Sequence, residues 1–328
     1  MTYKQIYKYR SVWMGIAILF VIWYHMPQHL PSLIIKNVKV YSHIFVDIFV
    51  FASGLGCAFS YRRNRDLFVF IKRRLLRIYP SYLIFMLFWI PLYSIFIRKM
   101  PFRFIIGNIV GLEYLAHPEW AINWYFSYIV IMYFMTPFLV EFIERADKTW
   151  KKLLILLILI SISLPFYGSF DYMILTVRIP SYAIGVYFAL NHAPDEKVSR
   201  KTVVIMTVCA LVGILLIKYF YNNFNTEYAL CWYPLMLMAP GFSFMISWVC
   251  EKISGSGLKA MNLILKILTY LGSISLEIYL VHLFLLHIYG HYYQGDLDLS
   301  VLIPIMLTIP LAVLLKKGSD RVRVLLSE

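Results

Sequence analysis

Tyr9–Met26 reads YRSVWMGIAILFVIWYHM. Arg10 and His25 stand near its two ends, and nothing between them carries a formal charge. A helix needs roughly 20 such residues, rising about 1.5 Å each, to cross the bilayer hydrocarbon. On that helix Arg10 and His25 fall roughly 60° apart in azimuth and about 22 Å apart along the axis. They share a face but cannot touch. If both serve one reaction, they must contact different parts of a long substrate or two substrates arriving from opposite sides.

The rest of the chain has the same character. Of its 328 residues, 61% are hydrophobic and 15% charged, with a mean hydropathy of +0.72. Soluble domains are closer to half apolar and a quarter charged. The sequence therefore predicts an all-α membrane protein, with residues 1–328 forming a single integral-membrane domain. Apolar runs at 11–27, 43–61, 80–98, 122–143, 153–168, 171–191, 202–221, 229–250, 268–290 and 299–315 predict about ten transmembrane helices. The stretch 102–116 is apolar but interrupted by Gly107 and Gly111, and reads as re-entrant or interfacial. The basic start and first apolar run lack a small-residue cleavage site after His25-Met26-Pro27, so they read as a retained first helix. Cys57, Cys209, Cys231 and Cys250 show no CxxC spacing and read as small buried hydrophobes.

The net charge of +14 would suggest nucleic acid in a soluble protein. Its distribution points elsewhere. With the N-terminus placed in the cytoplasm, 24 of the 31 basic residues fall on the cytoplasmic side and six outside. That asymmetry predicts both termini cytoplasmic and accounts for most of the charge without a nucleic-acid partner.

Ionisable groups inside spans are costly and mark sites worth explaining. They are His25, Asp47, Arg178, Glu277, His282 and His287. Most share the outer half of the membrane in this topology, which predicts a polar cavity between helices. Asp47 or Glu277 could orient His25, and Arg178 could pair with either carboxylate. Ser275, Tyr279 and His282 share one face of their helix, as an acceptor-pocket wall or as interhelical glue. Trp124 and Tyr125 fit an interfacial aromatic belt and also suit a sugar face. His287 and His291 are spaced i, i+4, but no carboxylate or thiol completes a set, so no metal is expected. The tract RRNRDLFVFIKRRLLRIYP, residues 62–80, reads equally as a phosphate clamp or as positive-inside anchoring to membrane lipid.

Five ordered stretches carry a resemblance: RSVWMGIAILFVIWYH (10–25), FVDIFVFASGLGCAFSY (45–61), FIKRRLLRIYPSYL (70–83), INWYFSYIVIMYFMTPFL (122–139) and LGSISLEIYLVHLFLL (271–286). Together they resemble the membrane-bound acyltransferase 3 family, whose members move acyl groups, usually acetyl, onto cell-envelope sugars. The family's first-helix Arg falls here on Met14, and Arg10 stands one helical turn earlier. The resemblance implies His25 as catalytic base, with Arg10 serving the same reaction from the opposite end of the helix; Asp47 is the further catalytic candidate, as a residue that could orient the histidine. It implies acyl-CoA, usually acetyl-CoA, held by Arg73, Arg74, Arg77 and Tyr79. It implies a carbohydrate acceptor near Trp124, Arg178, Glu277, Tyr279 and His282, and a bacterial inner membrane as the location.

The chemistry agrees with the residue types. Acyl transfer from a thioester to a hydroxyl needs a base, an oxyanion donor and a grip on the carrier. Histidine titrates near neutrality and suits the first role. Ser53 in FASGLG lacks a GxSxG setting, and small residues there favour helix packing over nucleophilic chemistry. Two rival readings remain at this point. One is a transporter or exporter of lipid-linked sugar or polysaccharide, against which stands the lack of an inverted repeat or matched broken helices. The other is a non-catalytic partner of a polysaccharide synthase.

Overall fold

The structure is a computed structural model that describes residues 1–26, 41–121, 123–166, 169–224, 231–292 and 299–326. Among these residues the regular elements are helical, apart from an isolated bridge between Thr2 and Lys197. We number the α-helices in chain order: α1 (Tyr3–Lys8), α2 (Arg10–His25), α3 (Ile44–Arg63), α4 (Leu67–Phe96), α5 (Phe102–Val110), α6 (Glu113–Ala116), α7 (Trp124–Arg145), α8 (Thr149–Ser161), α9 (Phe170–Thr176), α10 (Ile179–Asn191), α11 (Arg200–Asn223), α12 (Pro234–Gly255), α13 (Lys259–Ser273), α14 (Ser275–Tyr292) and α15 (Leu302–Leu325).

Among the described residues, eight helical segments are long and apolar enough to cross a bilayer. They are α3, α4, α7, α8 continued to Phe166, α9 with α10, α11, α12 and α15. The pair α13 and α14 makes a ninth if it counts as one span, although it bends by 73°. At 16 residues α2 is apolar but shorter than the rest. The ten expected spans thus map onto eight long segments, one bent pair and the short α2.

Two of the expected boundaries move. The span expected at 80–98 is the second part of a 30-residue helix, α4. At about 1.5 Å per residue α4 is roughly 45 Å long. That exceeds the roughly 30 Å hydrocarbon, so its basic first turns, with Arg73, Arg74 and Arg77, reach beyond it. Asp66 caps this helix, accepting from Val69 N–H at 2.9 Å. The span expected at 268–290 breaks at Ile274 into α13 and α14. The break follows Gly272, which lies against the Ser11 carbonyl of α2 so closely that a Cβ would overlap it. The apolar stretch 102–116 forms the short helices α5 and α6, joined through Gly111 at φ +81. Nine residues in α5 are too few to cross, which agrees with the interfacial reading.

Close packing through glycine sets the centre of the bundle. A Cβ on Gly54 of α3 would overlap the Tyr182 carbonyl of α10, and one on Gly185 of α10 would overlap the Phe51 carbonyl of α3. Gly15 of α2 meets the Leu268 carbonyl of α13 in the same way. Small residues at these crossings let backbones approach, as membrane helix pairs require. Trp13 Nε1 donates to Ser247 Oγ at 2.8 Å, and Tyr9 Oη to Glu251 Oε2 at 2.7 Å, tying α2 and its lead-in to α12. By contrast α8 and α11 expose leucine and valine, among them Leu153, Leu157, Val204 and Leu215. In a bilayer those faces meet lipid.

Candidate functional site

Beside the close α2–α13 and α3–α10 crossings there is space between α2, α3, α4, α7, the end of α13, α14 and α15. That space is a cavity of about 440 Å³. It follows α2 from Arg10 past Met14 to Val21, roughly 16 Å by helical rise. At one end it is lined by Arg10, Arg74, Arg77, Lys316 and Arg323. Further along stand Ser53, Cys57, Tyr125, Tyr133, Ser275, Glu277 and Tyr279.

The basic end is not neutralised from within. Arg74 Nη2 donates to Gly56 O at 2.9 Å, while its buried Nε has no hydrogen-bond partner. Arg10 packs its guanidinium against the same glycine, where a Cβ would overlap Nη1. Lys316 Nζ pairs with Asp320 Oδ1 at 2.5 Å. Arg323 donates to Leu76 O at 3.2 Å and Arg77 O at 3.0 Å, and reaches Asp320 at 3.5 Å. Five cations thus face Asp320 and the more distant Glu277. Like charges gathered at this density repel, and a polyanion offsets that repulsion. Planar guanidinium forks suit phosphate oxygens in particular.

Glu277 sits deeper, 3% exposed, with Oε1 accepting from Ser81 Oγ at 2.6 Å. Ser81 Oγ also lies 2.8 Å from Ser319 Oγ, which links α4, α14 and α15 at this level. One half-turn on, Tyr279 places its ring 5.5 Å from Tyr125 and 5.5 Å from His282.

His25 and His282 lie one turn beyond the lining residues Val21 and Tyr279. His25 Nδ1 is 2.8 Å from Val21 O and 3.3 Å from His282 Nε2. His282 Nδ1 is 2.9 Å from Ile278 O. A carbonyl only accepts, so each Nδ1 carries a hydrogen. His282 Nε2 then accepts from His25. The network holds His25 as the tautomer whose Nε2 carries the basic lone pair.

The other expected site residues separate into two groups. Arg10, Arg74, Arg77, Glu277 and Tyr279 line the cavity, and His25 and His282 adjoin its far end. Asp47, Arg178 and Trp124 instead form a buried cluster of their own. Arg178 Nε lies 3.7 Å from Asp47 Oδ2, both side chains being 2% exposed. Ser181 Oγ donates to Asp47 Oδ1 at 2.5 Å. The Arg178 guanidinium sits 5.0 Å over the Trp124 ring. Asp47 therefore faces Arg178 and Ser181, not His25, and Arg178 pairs with Asp47, not Glu277. Arg73 is exposed and does not line the cavity. Tyr79 Oη lies 2.7 Å from Ile109 O and 2.9 Å from Val110 O, fastening α4 to the end of α5.

Lys316 and Arg323 are the lining residues that sequence reasoning overlooked. Positive-inside bias explained them equally well. Their spacing of seven, which puts both on one helix face, was the available signal. Among the described residues no group of three or more His, Cys, Asp or Glu could hold a metal ion.

A family model described as an acyltransferase domain matches residues 13–316. No curated protein and no solved structure matches the chain. The matched stretch takes in α3 to α14, nearly all of α2 and more than half of α15; Arg10 lies just before it and Arg323 just after. A multi-helix membrane bundle around a cavity, basic at one end and with a histidine pair one turn beyond the other, is compatible with acyl transfer. The chain belongs to the acyltransferase 3 family and is a membrane acyltransferase.

Proposed function

We propose that this acyltransferase takes an acyl group, usually acetyl, from cytosolic acyl-CoA and places it on a hydroxyl of a cell-envelope or exported polysaccharide sugar. In this reading both termini are cytoplasmic, the chain is one membrane domain, and the membrane is the bacterial inner membrane. The observation that carries the reading is the continuous cavity along α2, with cations at Arg10 and the His25–His282 pair beyond its other end. Coenzyme A matches that layout. Its phosphates would meet Arg10, Arg74 and Arg77, and its long uncharged arm would extend along the stretch toward Tyr279.

The chemistry follows from the tautomer. His25 Nε2 takes the proton of the sugar hydroxyl. The oxygen attacks the thioester carbonyl carbon, and the carbonyl becomes an oxyanion that Tyr279 steadies by donating from its hydroxyl. Collapse of the oxyanion breaks the carbon–sulfur bond. The departing thiolate takes the proton from His25, so the base is restored and the ester and free CoA leave. His282 keeps the His25 ring in register throughout. The buried Asp47–Arg178–Trp124 cluster fixes α3, α7 and α10 around the cavity.

The test is ester analysis of envelope polysaccharide from cells carrying wild type, His25→Ala or Arg10→Ala. Loss of ester-linked acyl groups in both variants, with protein still inserted, supports the reading. Wild-type ester content in His25→Ala contradicts it.

A further inference from the structure

Pro80 lies in the interior of α4, shortly after Arg74 and Arg77. Proline has no N–H, so the carbonyl four residues earlier, Leu76 O, lacks the donor that an unbroken helix would give it. Arg323 of α15 supplies one. Its Nε donates to Leu76 O at 3.2 Å, and its Nη2 donates to Arg77 O at 3.0 Å. The planar fork of a guanidinium can serve two neighbouring carbonyls at once. The remaining nitrogen, Nη1, lies 3.5 Å from Asp320 Oδ1. All three nitrogens of Arg323 are therefore engaged, whereas Arg74 keeps a buried Nε without a partner.

A second contact lies on the other side of the proline. Ser319, one turn before Arg323 on α15, places its Oγ 2.8 Å from Ser81 Oγ, and both serines are fully buried. Helix α15 thus grips α4 both before and after Pro80. Tyr79 ties the same turn to the end of α5 through Ile109 O and Val110 O. Arg74 and Arg77, which carry the α4 charge at the basic end of the cavity, stand on the turns that enter these ties. Prolines are where helices bend, so the direction of those turns depends on what fills the missing bond.

We propose that Arg323 is a positioning residue for the acyl donor: it supplies the hydrogen bond that Pro80 withholds from Leu76 O, and so holds the α4 turns from which Arg74 and Arg77 reach the donor phosphates. The inference rests on the acyl-CoA reading above. It separates the lining cations by role. Arg10, Arg74 and Arg77 meet phosphate, and Arg323 aims two of them without meeting it.

The experiment is calorimetric titration of acetyl-CoA into nanodisc-embedded wild type, Arg323→Met, Pro80→Ala and the double variant, with thermal midpoints measured on the same samples. Arg323→Met should raise the dissociation constant about five- to tenfold, part of the effect of losing a charged hydrogen bond. In Pro80→Ala the helix regains its own N–H for Leu76 O. There the same Arg323→Met change should raise the constant by less than about twofold, the non-additivity expected of residues that share one acceptor. Acetyl-CoA lacking the 3′-phosphate should lose affinity for Arg323→Met by the same factor as acetyl-CoA itself. If Arg323→Met does not insert, Arg323→Lys is read in the same way. It keeps the charge but ends in a single ammonium, and its smaller loss should again vanish with Pro80→Ala. Unaltered binding in Arg323→Met, equal loss in both backgrounds, or loss confined to the 3′-phosphorylated donor would overturn the positioning role and leave the donor site standing. Wild type that binds no acetyl-CoA would sink the donor site and this role with it.

Discussion

Replacing Arg10 by methionine keeps an unbranched side chain of similar length on α2 and removes one charge from the basic end of the cavity. The structure gives the expected magnitude two parts. Arg10 has no acidic partner among the described residues and shares Gly56 with Arg74, so its charge is opposed by its neighbours. Deleting it relieves repulsion and leaves no buried carboxylate behind, so folding stability should hold or rise. Under the proposed donor site the same guanidinium meets phosphate in the loaded enzyme. A hydrogen bond to a charged group contributes about 1.5–3 kcal/mol. Its loss should raise the acetyl-CoA dissociation constant about 10- to 150-fold. The assay is calorimetric titration of acetyl-CoA into nanodisc-embedded protein, with the thermal midpoint measured on the same samples. Raising the ionic strength should weaken wild-type binding more than that of the variant, because one phosphate contact is already gone. An unchanged dissociation constant would refute the clamp. A sharp fall in thermal midpoint would show that Arg10 is held by contacts the charge argument ignores.

Other outcomes follow from the same geometry. His25→Ala should lower the acyl-transfer rate about 10²- to 10⁴-fold with acetyl-CoA affinity kept, the usual range for removing a general base; equal loss of both would point to a packing role. His282→Phe should cost less, about tenfold in kcat, because Val21 O still holds the His25 Nδ1 hydrogen; the KM-against-kcat split is the readout, and a raised acetyl-CoA KM counts against a positioning role. Asp47→Ala should destabilise by about 3–5 kcal/mol by stranding buried Arg178, and Arg178→Met in the same chain should recover most of it. Thermal unfolding of the single and double variants checks this, and an additive double variant would dissolve the pair. Gly272→Val should cost at least about 1–3 kcal/mol, because its side chain meets the Ser11 carbonyl and forces α2 away from α13.

Much of the bundle was legible because each long apolar run answers to a single constraint, the thickness of the hydrocarbon. The bend between α13 and α14 was not, because nothing in LGSISLEIY announces a break. The break falls just after Gly272, which lies against a carbonyl some 260 residues earlier, a tertiary contact that the local sequence does not display. The cost of burying charge singled out Asp47, Arg178, Glu277 and His282, all of them buried in the structure, yet it could not pair them. Arg178 had two carboxylates to choose from, and helix rotation decided for Asp47. Glu277 was left to serine hydroxyls and the cavity. Arg10 looked displaced from the position expected at Met14, but both residues line the same wall, since one turn changes height and hardly changes face. Tyr79 and Arg73 followed from proximity in sequence to Arg74 and Arg77, and the helix turns them elsewhere.

The central claim is that one passage joins the basic end of the bundle to His25. A structure of the chain in lipid with acetyl-CoA tests it most directly. The account predicts the phosphates between Arg10, Arg74 and Arg77, with the thioester carbon beside Tyr279 and within reach of a hydroxyl held on His25 Nε2. Acetyl-CoA bound at any other surface, or a thioester walled off from the imidazole by packed side chains, would contradict it.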